Sequence, residues 1–151
     1  MLAKTIKGLL LVLALVVAVV ALVRFNQVTP HEGPVPIVWD REVCADCKMH
    51  IGDPRFAAQI QTTEGEVLDF DDPGCLFHYM QSHDLSVRAL YFRNYAVDGW
   101  LSESQVGFLP AQGSPMGYGI RAVPKDTAGA KDIDWAKHQV MERSQHPHGG
   151  S

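Results

Sequence analysis

The chain reads as an α+β fold with a mainly antiparallel sheet, preceded by one N-terminal transmembrane helix. Three observations lead there. An uncharged apolar run lies near the N-terminus, a strand–strand–helix–strand pattern follows, and the second half repeats that pattern weakly.

The apolar run is Gly8 to Val23, almost entirely Leu, Val and Ala, with Lys4 and Lys7 before it and Arg24 after it. A spanning helix usually takes about 20 apolar residues. Lys7 and Arg24 can extend the shorter run here by snorkelling. A cleaved signal peptide is the alternative, but no small-x-small cleavage site precedes Arg24. No cysteine precedes Cys44, which excludes a lipid-modified anchor. Residues 1–25 are therefore expected to be an uncleaved anchor. The two lysines favour a cytoplasmic N-terminus, with the remainder outside the inner membrane. Residues 26–36, holding Pro30, Gly33, Pro34 and Pro36, read as an extended, mobile linker. The folded domain is expected over 37–144 and a disordered tail over 145–151.

Within the domain, Phe56 to Gln61 alternates as a strand with Phe56, Ala58 and Ile60 on one face. Glu64-Gly65 is a turn signal, and Val67 to Phe70 completes a hairpin. Asp72-Pro73 pairs a helix N-cap with proline at the first helical position, so a helix is expected to about Ser82. Val87 to Tyr95 is rich in strand formers. Ser102 to Gln105 resembles a capping box and predicts a short helix to about Phe108. Pro110 to Pro115 reads as a loop. Met116 to Val123 alternates like a strand, with Met116, Tyr118, Ile120 and Ala122 sharing a face. A last helix is expected from about Ile133 to Arg143, with acidic residues at its start and Arg143 in its last turn.

The 151 residues carry a net charge of −4 and no cluster of Lys or Arg. Nucleic-acid binding therefore has no electrostatic support. No Ser–His–Asp arrangement, phosphate loop or pair of catalytic carboxylates is evident, and the chain is not expected to be an enzyme. His31, His83 and His138 are scattered.

The chemistry concentrates in Cys44-Ala-Asp-Cys47-Lys-Met49-His50. Thiolate and thioether together select soft metals, above all Cu(I). If residues 47–49 are extended, Cys47 and Met49 point to one side and form most of a Cu(I) site. Zinc takes Cys, His and carboxylates but not thioether as a rule, and a second CxxC is missing. A local disulfide or redox pair of Cys44 and Cys47 is the competing reading. The odd cysteine count also calls for an explanation in an oxidising compartment. Two further runs stand out. Asp69-Phe-Asp71-Asp72 could bind a cation or merely end a strand and cap a helix. Cys75 and His78, three apart on the following helix, could ligate jointly, although a buried cysteine is more often an inert small apolar residue. Met116, bounded by Pro115 and Gly117, is a candidate third sulfur from distant sequence. His146-Pro-His148 reads as a tail.

Taken together, Cys44-x-x-Cys47-Lys-Met49, Phe56-Ala-Ala-Gln, Phe70-Asp-Asp-x-Gly-Cys75-Leu-Phe-x-Tyr79, Trp100 and Ser114-Pro-Met116-Gly-x-Gly resemble the NosL family of nitrous-oxide reductase accessory proteins. The similarity runs over about Val43 to Val123. It implies a Cu(I) chaperone on the outer side of the inner membrane, supplying copper to nitrous-oxide reductase, usually with a maturation ABC transporter. It implies two related ββαβ units, similar to part of the organomercurial lyase MerB. It centres copper on Cys47 and Met49, with Met116 as a further ligand. Two features depart from the family. Many members are lipoproteins, whereas this chain has a hydrophobic helix. Cys44 is an extra thiol, either a ligand or a redox partner of Cys47. An extracytoplasmic thiol–disulfide oxidoreductase using Cys44 and Cys47 is the alternative function, and a zinc-stabilised or metal-free interaction module is a third. On the copper reading, Met49→Leu weakens Cu(I) binding strongly and leaves the fold intact. Competition with a Cu(I) chelator checks this, and undiminished affinity would remove Met49 from the site.

Overall fold

A computed structural model describes the backbone of residues 2–25 and 31–145, excluding the side chains of residues 2–5, 7, 11 and 23–25. The first element, α1, is a helix over Leu2–Phe25. Its described apolar side chains, among them Leu9, Leu15 and Leu22, are exposed. Among the described residues no helix is long and apolar enough to cross a membrane. The expected tail lies outside the described residues except for Gln145.

The domain is α+β, and all of its strand pairs are antiparallel. Strands β1 (Ala58–Thr62) and β2 (Val67–Phe70) form the expected hairpin, followed by α2 (Pro73–Ser82) and β3 (Val87–Arg93). A short strand, β4 (Trp100–Ser102), joins the same sheet, giving the order β2-β1-β3-β4. Strands β5 (Val106–Pro110) and β6 (Ile120–Pro124) form a separate two-stranded sheet, and α3 (Ile133–Gln145) closes the domain. The first unit is thus β-β-α-β as expected. The second is not: β4 belongs to the first sheet, and β5, β6 and α3 are followed by no further strand among the described residues.

One aromatic cluster joins these parts. Phe77 of α2 lies 5.7 Å from Phe92 of β3 and 5.6 Å from Phe108 of β5, with Phe92 and Phe108 5.2 Å apart. All three are buried; Phe108 meets both other rings edge-to-face, while Phe77 and Phe92 are tilted at 35°, and this ring packing adds to the area-driven stabilisation. From α3, Ala136 and Val140 are buried, as the helical spacing requires.

Two sequence expectations fail. Ser102 to Gln105 makes capping-box-like bonds, since the Gln105 Oε1 accepts from the Ser102 N–H at 3.1 Å and its hydroxyl at 2.9 Å. The chain nevertheless turns there between β4 and β5 instead of entering a helix. Met116 to Gly119 is not strand. Gly117 and Gly119 have φ of 72° and 66°, which turns the chain and delays β6 until Ile120.

Strand β1 is buried along its whole length, including Gln59 and Gln61. The cover on its second face is the latter part of the expected linker. Val35 N–H donates to Gln59 Oε1 at 2.9 Å, Gln59 Nε2 donates to the Val35 carbonyl at 3.1 Å, and Gln61 Nε2 donates to the Gly33 carbonyl at 2.7 Å. Residues 33–35 are therefore bound to the sheet rather than extended away from it, because buried amides need partners. Residues 26–30 lie outside the described residues.

Gln59 Nε2 also donates to Asp69 Oδ1 at 2.7 Å. Burial pushes the Asp69 carboxyl up to about 6, helped by the nearby Glu42 charge and opposed by the Gln59 bond. The folded state therefore holds a proton that the unfolded chain releases near pH 4, and stability is lost as pH rises through about 6. Asp69→Asn is expected to be more stable than the native chain above pH 6, by on the order of 1 kcal/mol after allowing for partial exposure. It should show no such advantage below pH 4. Urea midpoints across that range check the sign.

Candidate metal centre

Residues 40–51 fold back on themselves. Ile51 N–H donates to the Glu42 carbonyl, Cys44 N–H to the Met49 carbonyl at 2.8 Å, and Val43 bridges His50. Lys48 N–H closes the turn onto the Cys44 carbonyl at 3.1 Å. Lys48 itself has φ of 63°, a conformation uncommon for residues other than glycine. Ala45 N–H donates to the Asp69 carbonyl at 2.8 Å, fastening this turn to β2.

Three residues beyond Asp69 the chain enters α2. The Asp72 carboxylate caps it, accepting from Gly74 N–H at 2.6 Å. Its other oxygen accepts from the backbone N–H of Met116 at 3.4 Å, so the cap also holds the loop before β6. Cys75 lies in the first turn of α2 and comes to lie beside the folded-back segment. The sulfurs of Cys44, Cys47 and Cys75 all lie within 4.8 Å of one another. All three are free thiols; Cys44 and Cys75 are fully buried, and Cys47 is partly exposed. Three converging thiols can hold a metal ion.

Spacing aligns Cys47 and Met49 on one side only if residues 47–49 are extended. The left-handed turn at Lys48 removes that premise, and Met49 is 47 % exposed. Cys44 and Cys47 are in the cluster as expected. Met116 packs partly buried in the loop over the N-terminus of α2. Cys75, which the sequence alone reads as more often an inert apolar residue, joins the cluster. Its local signal is the Asp72-Pro73 helix start, which fixes where Cys75 stands, but the partner it meets lies some thirty residues earlier.

The acids beside the cluster each serve a backbone or a ring. Asp71 Oδ1 accepts from Gly52 N–H at 3.2 Å, Asp72 caps α2, and Asp46 holds His78 at 2.8 Å. The acidic run is therefore spread over separate contacts and is not a cation site of its own. The thiols differ sharply. The Cys75 S–H bond, together with backbone N–H groups of Asp71, Cys47 and Asp46, holds Cys44 down to about 5 against the effect of burial. Burial pushes the Cys47 thiol up. Cys75 is pushed up by its bond to Cys44, then by burial and the neighbouring charges. One thiolate shared among three sulfurs is the charge pattern these contacts favour.

Tyr118 covers this end of α2. A Cβ at Gly74 would meet its ring at 2.1–2.3 Å, so glycine is needed there for close approach. Burial, followed by the Cys75 and Asp46 charges, pushes the Tyr118 phenol up to about 12. Arg143 of α3 donates from Nη1 to the Gly117 carbonyl at 2.7 Å and braces the same loop.

Compared with known proteins, the chain matches no family model, no curated protein and no solved structure.

Gly74→Ala is expected to destabilise the domain by about 1–3 kcal/mol through overpacking against Tyr118. Chemical denaturation checks it, and a change within a few tenths of a kcal/mol would show that the ring moves aside freely.

Proposed function

We propose that this chain is an extracytoplasmic Cu(I) chaperone, anchored to the inner membrane by α1, that delivers copper for maturation of a copper enzyme. The NosL resemblance names nitrous-oxide reductase as the recipient and a maturation ABC transporter as a further partner. The observation that carries the reading is the convergence of Cys44, Cys47 and Cys75, with one of the three reaching solvent. Cu(I) is satisfied by a few soft ligands. Structural zinc takes four in a tetrahedron, and three thiols leave that set incomplete. Copper is the cargo here, so an open side is an asset: an incoming sulfur or imidazole can replace one ligand at a time.

The anchor rests on the uncharged run Gly8 to Val23 within a helix of 24 residues. At the usual rise the uncharged run covers about 24 Å of a hydrocarbon core of about 30 Å, and Lys7 and Arg24 would snorkel to make up the rest. Residues 31–35 run along β1 toward its start: Arg88 donates to the His31 carbonyl, Gln61 to the Gly33 carbonyl, and Gln59 exchanges bonds with Val35.

A thiol–disulfide oxidoreductase on Cys44 and Cys47 has weaker support. Such enzymes attack with an accessible thiol of lowered pKa. Here the lowered thiol, Cys44, is buried, while the accessible Cys47 is raised.

On the proposed reading, Cys75→Ser and Cys47→Ser each lower Cu(I) affinity about tenfold or more, roughly 1.4 kcal/mol. Chelator competition on the reduced full chain in detergent checks this. Full affinity in Cys75→Ser, with loss in Met49→Leu, would return the site to Cys47 and Met49. Absence of Cu(I) binding with sustained disulfide exchange would favour the oxidoreductase.

A further inference from the structure

The three sulfurs come from two separate elements. Cys44 and Cys47 belong to the folded-back segment, and Cys75 belongs to α2. A site so divided needs something to hold its halves in register. The thiol contacts cannot do so once the protons that make them are displaced by a metal. The bond from Ala45 and the bond from Gly52 both end on residues before α2, at Asp69 and Asp71. Among the described residues, one hydrogen-bonded side-chain pair outside the thiols reaches from the segment to α2 itself. Asp46, lying between Cys44 and Cys47, accepts from His78 Nδ1 at 2.8 Å with one carboxylate oxygen and 3.1 Å with the other. His78 follows Cys75 by three residues, nearly one helical turn, and therefore shares its side of α2.

We propose that Asp46 and His78 form a latch that sets the spacing between the two thiol-bearing elements, with His78 acting as a positioning residue. The carboxylate has no proton to give, so Nδ1–H is the donor and the ring is held by its inner nitrogen. The Asp46 side chain is 13 % exposed and that of His78 42 %. The bond therefore sits at the margin of the cluster, sheltered on the side of the acid. Pre-setting the spacing reduces the ordering cost of each loading event. Partners hydrogen-bonded to a ligand itself typically change metal affinity by roughly 10–100-fold when removed, and a latch one step further out is expected to change it less.

The consequence for copper rests on the function proposed above, but the geometry can be read without metal. The experiment uses the reduced full chain in detergent and a short thiol-bridging reagent, dibromobimane. Cys47, the accessible thiol, reacts first, and the second end then chooses Cys44 or Cys75. The Cys44–Cys47 bridge reports the folded-back segment alone, while the Cys47–Cys75 bridge reports its register with α2. Peptide mapping gives their ratio. His78→Ala is expected to shift the ratio several-fold toward Cys44–Cys47, and Asp46→Ala should do the same. The double variant should shift it no further than either single one. His78→Asn should restore the native ratio, because its Nδ2 takes the place of ring Nδ1 and keeps a donor toward Asp46. Cu(I) affinity should follow the same order, with Ala weakened and Asn near native. An unchanged ratio in His78→Ala, or an Asn variant as shifted as Ala, would overturn the latch. A native bridging ratio in the Asn variant with Cu(I) affinity lost would make the imidazole a ligand and overturn the positioning role. A native chain that binds no Cu(I) would sink the copper reading, leaving the bridging ratio to decide the latch.

Discussion

The hydrogen bond from Ala45 N–H to the Asp69 carbonyl is the contact on which the site depends. It fastens the cysteine-bearing segment to β2, and β2 runs directly into α2. Asp72 caps the helix and Pro73 starts it. Cys75 is thereby delivered in the first turn, within reach of Cys44, and the proposed latch of Asp46 and His78 sets the spacing. The placement is inherited from the sheet: β2 is paired to β1 from Val67 to Phe70, and β1 is buried on both faces. A soft-ligand cluster placed this way is held by ladder hydrogen bonds and aromatic packing rather than by a disulfide.

How much of this was legible depended on the range of each interaction. The hairpin, the capped helix α2 and the last helix α3 carry local signals, and the chain follows them. Ser102 to Gln105 carried a local signal too, and its side-chain bonds form as a capping box would have them. Tertiary pairing of β4 with β3 and of β5 with β6 decides the backbone instead. At Met116 to Gly119 the alternation suggested a strand, yet the two glycines were the better guide. Lys48 gave no warning of its positive φ, which is why Cys47 and Met49 could not be aligned correctly from spacing. Cys75 was visible as a cysteine one turn before a histidine. Its meeting with Cys44 is a long-range contact that no local pattern encodes.

Acidic residues surround the cluster without competing for its role. Asp46, Asp71 and Asp72 each accept from a specific donor: an imidazole, the Gly52 amide, and the amides of Gly74 and Met116. Burial raises the Asp71 and Asp72 carboxyls, Asp72 to about 6. Such groups resist carrying full charge beside a thiolate. Their contribution is orientation: each ties a thiol-bearing segment to a neighbour. The result is a site whose chemistry belongs to sulfur and whose geometry is set by oxygen.

The difference in exposure among the three thiols bears on how a cargo could leave. Cys44 and Cys75 are sealed, and Cys47 reaches solvent. A receiving ligand can therefore approach only from the Cys47 side. On the proposed reading it displaces Cys47 first, while the two buried sulfurs retain the ion, so the metal is never released to water. The same asymmetry works against dithiol exchange, which needs its strongest nucleophile outermost. A buried thiolate with an exposed, reluctant neighbour is the reverse order. It suits a site that holds a soft ion from within and yields it at one edge.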